Sequence, residues 1–462
     1  MAEINYAGEY DLKELRILTS SGVVMDATNL VQSIEMFENL ESPSLTGRIT
    51  IIDIDNVVEN ANIIGQEYMS LKIATPTLEE EMIDFSQNVF AIYKIVSKSA
   101  TSSTDAQIFT LAFCSPELLR SNRTRISKSY TDTIDNIVEN ILRDSRYLNT
   151  RKKLFLETTS GIRKVIAPNI RPFTFINNLK NEALSSKYNS PHFFFFETTK
   201  GIHFKTLQGM YAAGTFGNYN TGDIESLDIG KEKKPNVEKE FQRVLEFQIN
   251  SNQDMLLNVR GGMLGSKVTN YNIFHKNFNT KTFRYFNDFE SFPRIDENPI
   301  YNNSSIDVEN NTIGDFSDAR IHLHPTSSSS FYDSQYDNEN NFYTYTPNQI
   351  SDAILHRQSK ILELNYGVSV SMKITGNTTI AVGQLINLTI PVVGRVHDKE
   401  NDQYMSGKYL ITKLRHMFSQ ADKKHEIALT ACKDSLPKEY PTATNSREPI
   451  GEKSETVEIS YT

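Results

Sequence analysis

The sequence has 462 residues and a net charge of −9, from 57 acidic and 48 basic residues. A chain of this length can form about three domains, and its acidic balance does not favour a groove that binds nucleic acid by phosphate neutralisation. No stretch approaches the roughly 18 to 20 consecutive apolar residues of a membrane helix, so we predict no membrane insertion. The polar, acidic N-terminus is unlike a signal peptide, which predicts synthesis and folding in the cytoplasm.

The first predicted domain covers residues 1–116 and is built of β-strands. Apolar and polar residues alternate there, which is typical of strands with one buried face because successive side chains point to opposite faces. A small antiparallel barrel or sandwich is therefore expected. The alternating runs contain Leu71 and Ile73, then Tyr93 and Ile95, then Phe109, Leu111 and Phe113, and they end at Cys114.

Residues 117–242 are predicted to form a small α+β domain. Apolar residues recur at helical spacing in 130–144 and in 172–185, which predicts two amphipathic helices. The aromatic run 193–197 and the run 202–205 flank a turn that contains Gly201, so a hairpin is expected after the helices.

Residues 243–265 are predicted to be strands that contribute to a second barrel. The glycine-rich run 261–267 lacks the spacing of a phosphate-binding loop and is interpreted as a turn between strands. Residues 266–348 are predicted to be an insertion. Its part 296–348 is rich in Asn, Ser and Tyr, and we expect this excursion to bury little of its surface.

The second tube-type barrel is predicted for residues 349–437, beginning with a helix over 349–364. Its strand pattern repeats that of the first domain in order and in approximate spacing, which favours an internal duplication. The recurring landmarks are Gly47, Gly65–Gln66, Tyr93 and Cys114 at one end of the chain and Gly367, Gly383–Gln384, Tyr409 and Cys432 at the other.

Residues 438–462 are predicted to be an extended tail. Its last segment alternates in polarity, which is the pattern of a strand that can add to the sheet of a partner. We predict that this segment docks onto a partner through Thr456, Val457, Glu458, Ile459, Ser460, Tyr461 and Thr462.

No recognisable catalytic or cofactor-binding motif occurs in the sequence, so no catalytic, metal or cofactor residue is predicted. His322 and His324 could share one strand face, but a third ligand is not recognisable nearby, and packing is the favoured role. His416 and His425 are expected to be exposed in the last hairpin. The two cysteines, Cys114 and Cys432, are too few for a disulfide framework and are expected to stay unpaired.

Several short segments, in the expected order, resemble the baseplate central hub protein of contractile-tailed bacteriophages of the T-even type. The N-terminal part of type VI secretion spike proteins is similar in architecture. The segments that carry the resemblance are 38–56, Ile64–Glu67, Gly261–Lys267 with Tyr285 and Phe289, His356–Lys360, Tyr409–Thr412 and Lys433–Ser435.

The resemblance implies a mainly β fold with α+β insertions and two similar antiparallel tube-type barrels per chain. It implies a ring-shaped homotrimer with pseudo-sixfold symmetry, which adapts the sixfold tail tube to the threefold spike. The implied partners are the tail spike protein, the tail tube protein and the baseplate wedge proteins. Hubs of this family have no catalytic residues to transfer, and the implied location is the virion tail baseplate.

From the acidic balance we further expect genomic DNA to pass through the channel of such a ring without specific binding. Two other readings stay open at this stage. One is a carbohydrate-binding adsorption protein of a phage tail, in which the Tyr-rich segment 331–345 would supply stacking platforms. The other is a tail-associated cell-wall hydrolase whose barrels act as carriers.

Overall fold

The structure is a computed structural model, and strands account for 47% and helices for 20% of it. The predicted mainly β fold class is therefore confirmed, together with its helical insertions. The structure describes residues 6–53, 63–76, 81–100, 106–221, 240–251, 253–272, 276–291, 294–303, 312–315, 317–326, 350–392 and 401–440.

The strands alternate in burial along most of their length, as a sheet with one covered face requires. In chain order they are β1 (Asp11–Leu18), β2 (Val24–Asp26), β3 (Val31–Asn39), β4 (Thr46–Asp53), β5 (Tyr68–Ala74), β6 (Ile83–Asp84), β7 (Phe90–Ala100), β8 (Gln107–Cys114), β9 (Ile126–Asp132), β10 (Leu154–Leu156), β11 (Arg163–Ile170), β12 (Phe193–Thr198), β13 (Gly201–Thr206), β14 (Thr215–Asn220), β15 (Val244–Ser251), β16 (Gly265–Asn272), β17 (Asn277–Arg284), β18 (Ile321–Thr326), β19 (Val368–Thr375), β20 (Leu385–Thr389), β21 (Gly407–Ser419) and β22 (Lys424–Lys433).

Most helices lie in the α+β region, in the 266–348 insertion and at the entry to the second barrel, but α5 lies within residues 243–265, which were predicted to be strands. They are α1 (Pro116–Arg123), α2 (Ile134–Arg143), α3 (Pro172–Glu182), α4 (Leu207–Tyr211), α5 (Met255–Gly261), α6 (Tyr285–Asp288) and α7 (Ile350–Tyr366).

One large sheet of 14 strands extends from one end of the chain to the other. Its main path is β15-β19-β22-β21-β3-β4-β8-β7-β5-β1-β2, and every neighbouring pair on that path is antiparallel. Strand β20 joins from the side through β21 and pairs in parallel with β14, while β6 pairs with β5.

The same five-strand order occurs twice within this sheet. We name strands β3-β4-β8-β7-β5 the first unit and strands β15-β19-β22-β21-β20 the second unit. The register also repeats, because each unit places a cysteine opposite the residue that lies two positions before the bulged residue. The cross-strand pairs are Ala91 with Cys114 and Leu410 with Cys432, and the bulges lie between Ile92 and Lys94 and between Ile411 and Lys413.

The sequence landmarks do not all occupy equivalent places in the two units. Tyr68 pairs with Ala91 and Leu385 pairs with Leu410, so the preceding residues Glu67 and Gln384 are equivalent. Their side-chain oxygens accept from the amide three residues earlier, at 2.7 and 2.8 Å. The two glycine landmarks beside them are therefore one residue out of step. The two units therefore share a backbone arrangement, but identical residue types do not mark equivalent positions in them.

Four apolar clusters fill the interior. The first lies under the first unit, strand β1 and strand β2, and the second lies under the second unit, with side chains from β12, α4 and β14 added to it. A third cluster belongs to α2, α3 and the strands between residues 126 and 204. The fourth packs α7 against the sheet β17-β16-β18. Each insertion thus has its own core beside the large sheet.

The α+β region contains the two predicted helices, but both are shorter than expected. Residues 126–132 form β9, which pairs with β11, so the helix predicted for 130–144 begins only at Ile134. The second helix ends at Glu182. The predicted hairpin is present as β12 and β13, joined at Gly201, whose φ is 145°.

One prediction for this region is wrong. The run 261–267 is not a turn between strands, because α5 ends at Gly261, Gly262 caps it with φ 83°, and β16 starts at Gly265. The described residues of the 296–348 excursion are mostly exposed or half-buried, but Ile300 and Ile313 are buried in the fourth core, and residues 321–326 form a strand parallel to β16. Apolar residues at isolated positions are enough to tie this polar segment to the core.

Candidate assembly surface

Strand β21 belongs to the sheet of both units. The first residues of β21, 407–410, pair with β20 inside the second unit. Beyond the bulge, residues 413–419 pair antiparallel with residues 33–39 of β3 in the first unit, while the other edge of β21 stays on β22. We name this β21–β3 pairing the seam. It makes one continuous sheet of the two units.

The buried side of the seam is packed with aromatic rings. Phe418 lies 4.0 Å from the ring of His425 and makes an edge contact with Tyr10 at 5.1 Å between ring centroids. His416 and His425 face each other, with Nδ1 of His416 at 3.1 Å from Nε2 of His425. The prediction that these histidines are exposed is wrong. They lie at the inward-pointing positions of the hairpin. The N-terminal segment crosses the end of this hairpin, where the His425 amide donates a hydrogen bond to the Gly8 carbonyl at 2.7 Å.

Burial makes both imidazoles hard to protonate. It lowers the pKa of His416 from 6.5 to about 3. Burial, with a smaller contribution from His416, also lowers the pKa of His425. Among the described atoms, Nε2 of His416 and Nδ1 of His425 have no hydrogen-bond partner. A proton on either ring would therefore be a buried charge without compensation.

The opposite side of the seam is solvated and carries charges of both signs. Arg415 of β21 pairs with Glu35 of β3, and Lys373 of β19 pairs with Glu426 of β22 at 2.7 Å. The sheet is hollow on this side: a depression of about 650 Å³ is lined by residues of β15, β19, β22, β21 and β3. This surface is a concave wall whose charges largely neutralise one another.

Glu38 ties three parts of the chain together at the end of β3. Its Oε1 accepts from the amide of Thr199 in the β12–β13 turn at 2.6 Å, and its Oε2 accepts from the amide of Val382, just before β20, at 2.9 Å. Burial raises the pKa of this carboxyl to about 7, and the two backbone hydrogen bonds oppose that shift. The carboxyl group fixes the α+β hairpin against both units.

A second buried carboxylate makes the reciprocal contact from the hairpin to the first unit. Glu197 of β12 accepts from the amide of Leu45 at 2.9 Å and from the hydroxyl of Ser115 at 2.8 Å. The ammonium of Lys152 lies 2.6 Å from Glu197 and 2.7 Å from Glu117. All three charged side chains are almost completely buried, and they form an ion triad within the α+β region. The triad holds Glu197 in place, and the hydrogen bonds of Glu197 to Leu45 and Ser115 join this region to the first unit.

The fourth core is attached to the second unit by another buried ionic cluster. Lys360 of α7 bridges Glu363, at 3.1 Å, and Asp434, which follows β22. Arg294 adds a bond of 2.6 Å to Glu363. Burial opposes ionisation of Asp434, but Lys360 and Arg294 outweigh it and lower the pKa of this carboxyl. Each insertion is therefore fixed by charge-assisted bonds as well as by apolar contacts.

Among the open edges of the large sheet, two have no strand beside them in the part of the chain that the structure describes and carry exposed apolar side chains. One is the outer half of β7, where Tyr93 and Val96 are 47% and 41% exposed. The other is β15, which pairs only with β19 and leaves Phe247 43% exposed. A sheet edge with unpaired amides and carbonyls beside apolar side chains is a template for another strand.

The predicted docking segment 456–462 lies outside the described residues. His322 is hydrogen-bonded to Gln358, and no group of metal-ligating side chains occurs within the described ranges. Cys114 and Cys432 are buried and unpaired, as predicted, and burial raises the pKa of the Cys114 thiol to about 12. In the same part of the chain, no helix is both long and apolar enough to cross a lipid bilayer.

The fold of this sheet is similar to that of solved tail proteins. No protein-family model matches the sequence. No curated protein matches it either. The comparison with solved structures therefore shows the fold alone, and at that level it confirms the resemblance indicated by the sequence.

One similar structure is the tail protein from Neisseria meningitidis MC58, with a TM-score of 0.51 and 10% identity over 94% of this chain and 100% of that chain. Another is the 43 kDa tail protein of prophage MuSo2 from Shewanella oneidensis, with a TM-score of 0.50 and 9% identity over 91% of this chain and 98% of that chain. A type VI secretion system component of E. coli aligns at a TM-score of 0.45 and 12% identity, over 94% of this chain and 79% of that chain.

Proposed function

We propose that this chain is a structural protein of a contractile phage tail, the central hub of its baseplate. Three copies form a ring in which the two units of each chain are tube-type barrels. The ring then offers six similar faces to a sixfold tail tube and three identical chains to a threefold spike. No catalytic role is part of the proposal. Its location is the virion, with assembly in the host cytoplasm, and baseplate wedge proteins contact the ring from outside.

The observation that carries this proposal is the repeated strand order within one sheet. A chain whose two halves have the same backbone plan can occupy two adjacent, nearly equivalent positions around an axis. The seam already joins two such positions inside each chain. A symmetry adaptor needs this arrangement, because it has three subunits but must present six similar units to a sixfold partner.

The solvated face of the sheet suits the wall of a DNA channel. Two of the basic residues that line it, Lys373 and Arg415, are each paired with a glutamate, which lowers their attraction for phosphates. This supports the expectation that genomic DNA passes without specific binding. Strong retention of duplex DNA by the purified protein at about 0.15 M salt would contradict it.

The spike is proposed to bind partly through the C-terminal tail. Residues 456–462 alternate in polarity and follow a tether that contains Pro441 and Pro449, which suits strand addition to a partner sheet.

The deciding measurement is the solution mass by light scattering, for the chain alone and mixed with the candidate spike protein. We expect three times the mass of 52.6 kDa, retained when the spike is added. A variant without residues 452–462 should keep the trimeric mass and lose affinity for the spike, and unchanged affinity would overturn the tail proposal. A monomer that ignores the spike would overturn the hub proposal, and tests of glycan binding and of peptidoglycan cleavage would then decide between the two alternatives.

A further inference from the structure

The seam inside the chain is a template for a contact between chains. In the first unit, β7 occupies the place that β21 has in the second unit, as the shared position of the bulge shows. After its bulge, β21 pairs with β3, whereas the corresponding part of β7 has no described neighbour on that side. The strand that would complete β7 must therefore resemble β3.

Strand β15 is the counterpart of β3. Ile34 of β3 pairs with Ile49 of β4, and Phe247 of β15 pairs with Met372 of β19. Ile49 and Met372 are equivalent because they pair with Leu111 and Leu429, which lie at matching positions of β8 and β22. The seam leaves Ile34 only 1% exposed, while Phe247 is 43% exposed. The difference arises because Phe247 has no strand beside it in the described structure. The missing neighbour of β15 must resemble β21.

We propose that the outer half of β7 in one copy pairs antiparallel with β15 of the next copy, in the register of the seam. Transferring the seam register residue by residue places Ser97 opposite Asn250, Lys98 opposite Ile249 and Ser99 opposite Gln248. Because an extra residue, Val96, is bulged out of β7, the transfer takes Ser97 as the counterpart of Arg415. The contact deepens the proposed ring and rests on it, since it states which surfaces hold the copies together.

The two edges are different, so the contact joins unlike surfaces of two copies. A contact between unlike surfaces is heterologous, and it either closes into a ring or continues as a filament. In this arrangement each chain supplies one seam of its own and one half of each of two further seams. A closed ring of three copies has six seams, three within chains and three between them. It also leaves no open strand edge at these positions.

The contact also accounts for apolar side chains that a solvated edge does not require. Phe247 and Val96 are both more than two-fifths exposed, and Ile249 is half-buried. In the seam, the counterparts of Phe247 and Ile249 are Ile34 and Met36, which are fully buried. Pairing with the next copy would cover the β15 residues in the same way, and the charged lysines of β7 keep an unpaired copy from aggregating before assembly.

Engineered disulfides test both the surfaces and the register. The double variant Ser99→Cys/Gln248→Cys places two exposed positions opposite each other across the contact, within reach of a disulfide. Under mild oxidation we expect covalent dimers and trimers on non-reducing gels. The control Ser99→Cys/Ser127→Cys joins two equally exposed positions that the contact does not bring together, so it should remain single chains. The native cysteines are buried in both variants.

The outcomes separate this inference from the hub proposal. A covalent trimer from the matched pair, with none from the control, supports the contact. A trimeric mass by light scattering without cross-linking of Ser99→Cys/Gln248→Cys or of the second pair, Ser97→Cys/Asn250→Cys, would overturn the contact and leave the ring standing. A monomeric mass would overturn both. Equal cross-linking of the matched pair and the control would show random collision and would also overturn the contact.

Discussion

The seam and the open edges are two versions of one structural position, and they differ in whether the neighbouring strand belongs to the same chain. In the seam, His416, Phe418, Ile34 and Met36 are buried and their strands are paired. On the edges of β7 and β15, the corresponding backbone is unpaired among the described strands, and side chains such as Phe247 reach solvent. The same strand plan can therefore serve folding at one place and assembly at the other.

The largest effect is expected where the seam itself is broken. Ile34→Asp places a carboxylate without a partner into a position that is 1% exposed, which should cost more than about 4 kcal/mol in the free energy of unfolding. We expect loss of the folded chain, seen as loss of the cooperative thermal transition. A folded Ile34→Asp chain with near-native melting would show that the seam is not part of the first core.

The same substitution on the open edge should separate assembly from folding. Phe247→Asp changes a residue that is already 43% exposed in the single chain. We expect an almost unchanged thermal transition of the chain but a solution mass that falls from three copies to one, because the charge would be buried when β15 pairs. The control is Ile166→Asp on β11, a residue that is 71% exposed and belongs to the separate two-stranded sheet of β9 and β11. Its mass should stay trimeric, and a trimeric mass for Phe247→Asp would contradict the comparison.

A smaller effect is expected from the histidines that only the seam contains. The folded chain keeps His416 neutral down to a pKa of about 3, whereas the unfolded chain takes up a proton below 6.5. Stability from this group is therefore fully present above pH 6.5 and is lost as the pH falls towards 3. At about pH 5.5 the loss is about 1.4 kcal/mol.

The variant His416→Leu removes this titration. Its free energy of unfolding should therefore fall less steeply than that of the parent chain between pH 6.5 and 4.5. The parent falls more steeply because its unfolded state takes up a proton with a pKa of 6.5. Denaturant unfolding at a series of pH values measures the difference. Met36→Leu, a change at the residue opposite His416 in the seam, is the control because it removes no titrating group. Equal slopes for the parent and His416→Leu would show that protonation of this ring does not limit stability.

Much of the sheet could be predicted from the sequence, because a strand with one buried face imposes a period of two on its residues. The runs around Leu71, Phe109 and Leu429 all proved to be strands. The equivalence of Cys114 and Cys432 was also visible, since both precede the same kind of strand end. Alternation carries this information wherever the backbone is regular.

Residue identity was a poorer guide to equivalent positions. Gly47 and Gly367 look like a matched pair, yet the register places Gly47 opposite Phe113 and its counterpart is Val370, opposite Ala431. A Cβ on Gly47 would lie 2.2 Å from the ring of Phe113. Glycine is therefore required at this position by a neighbouring ring that the second unit lacks. Packing partners far away in the chain decide such positions, and no local pattern records them.

The seam and the ion triad could not be predicted for a similar reason. Nothing in the sequence near Lys152 indicates that two glutamates, at positions 117 and 197, will meet it in a buried place. His416 and His425 were predicted to be exposed because polar residues of a hairpin are usually solvated. They are buried because β3 pairs beside the hairpin and the N-terminal segment crosses its end. The tertiary neighbours overrode the usual preference.

The seam also imposes an order of events on the ribosome. Glu35 and Arg415 pair across 380 residues of chain, so β3 is synthesised near the start and waits for a partner made near the end. Throughout translation the nascent first unit exposes an unfilled edge to neighbouring nascent chains on the same message. Because β21 supplies the strand that fills it, a truncated product would carry an edge that can capture the β21 of an intact copy. Incomplete chains should therefore inhibit assembly of the proposed ring in a dominant-negative manner.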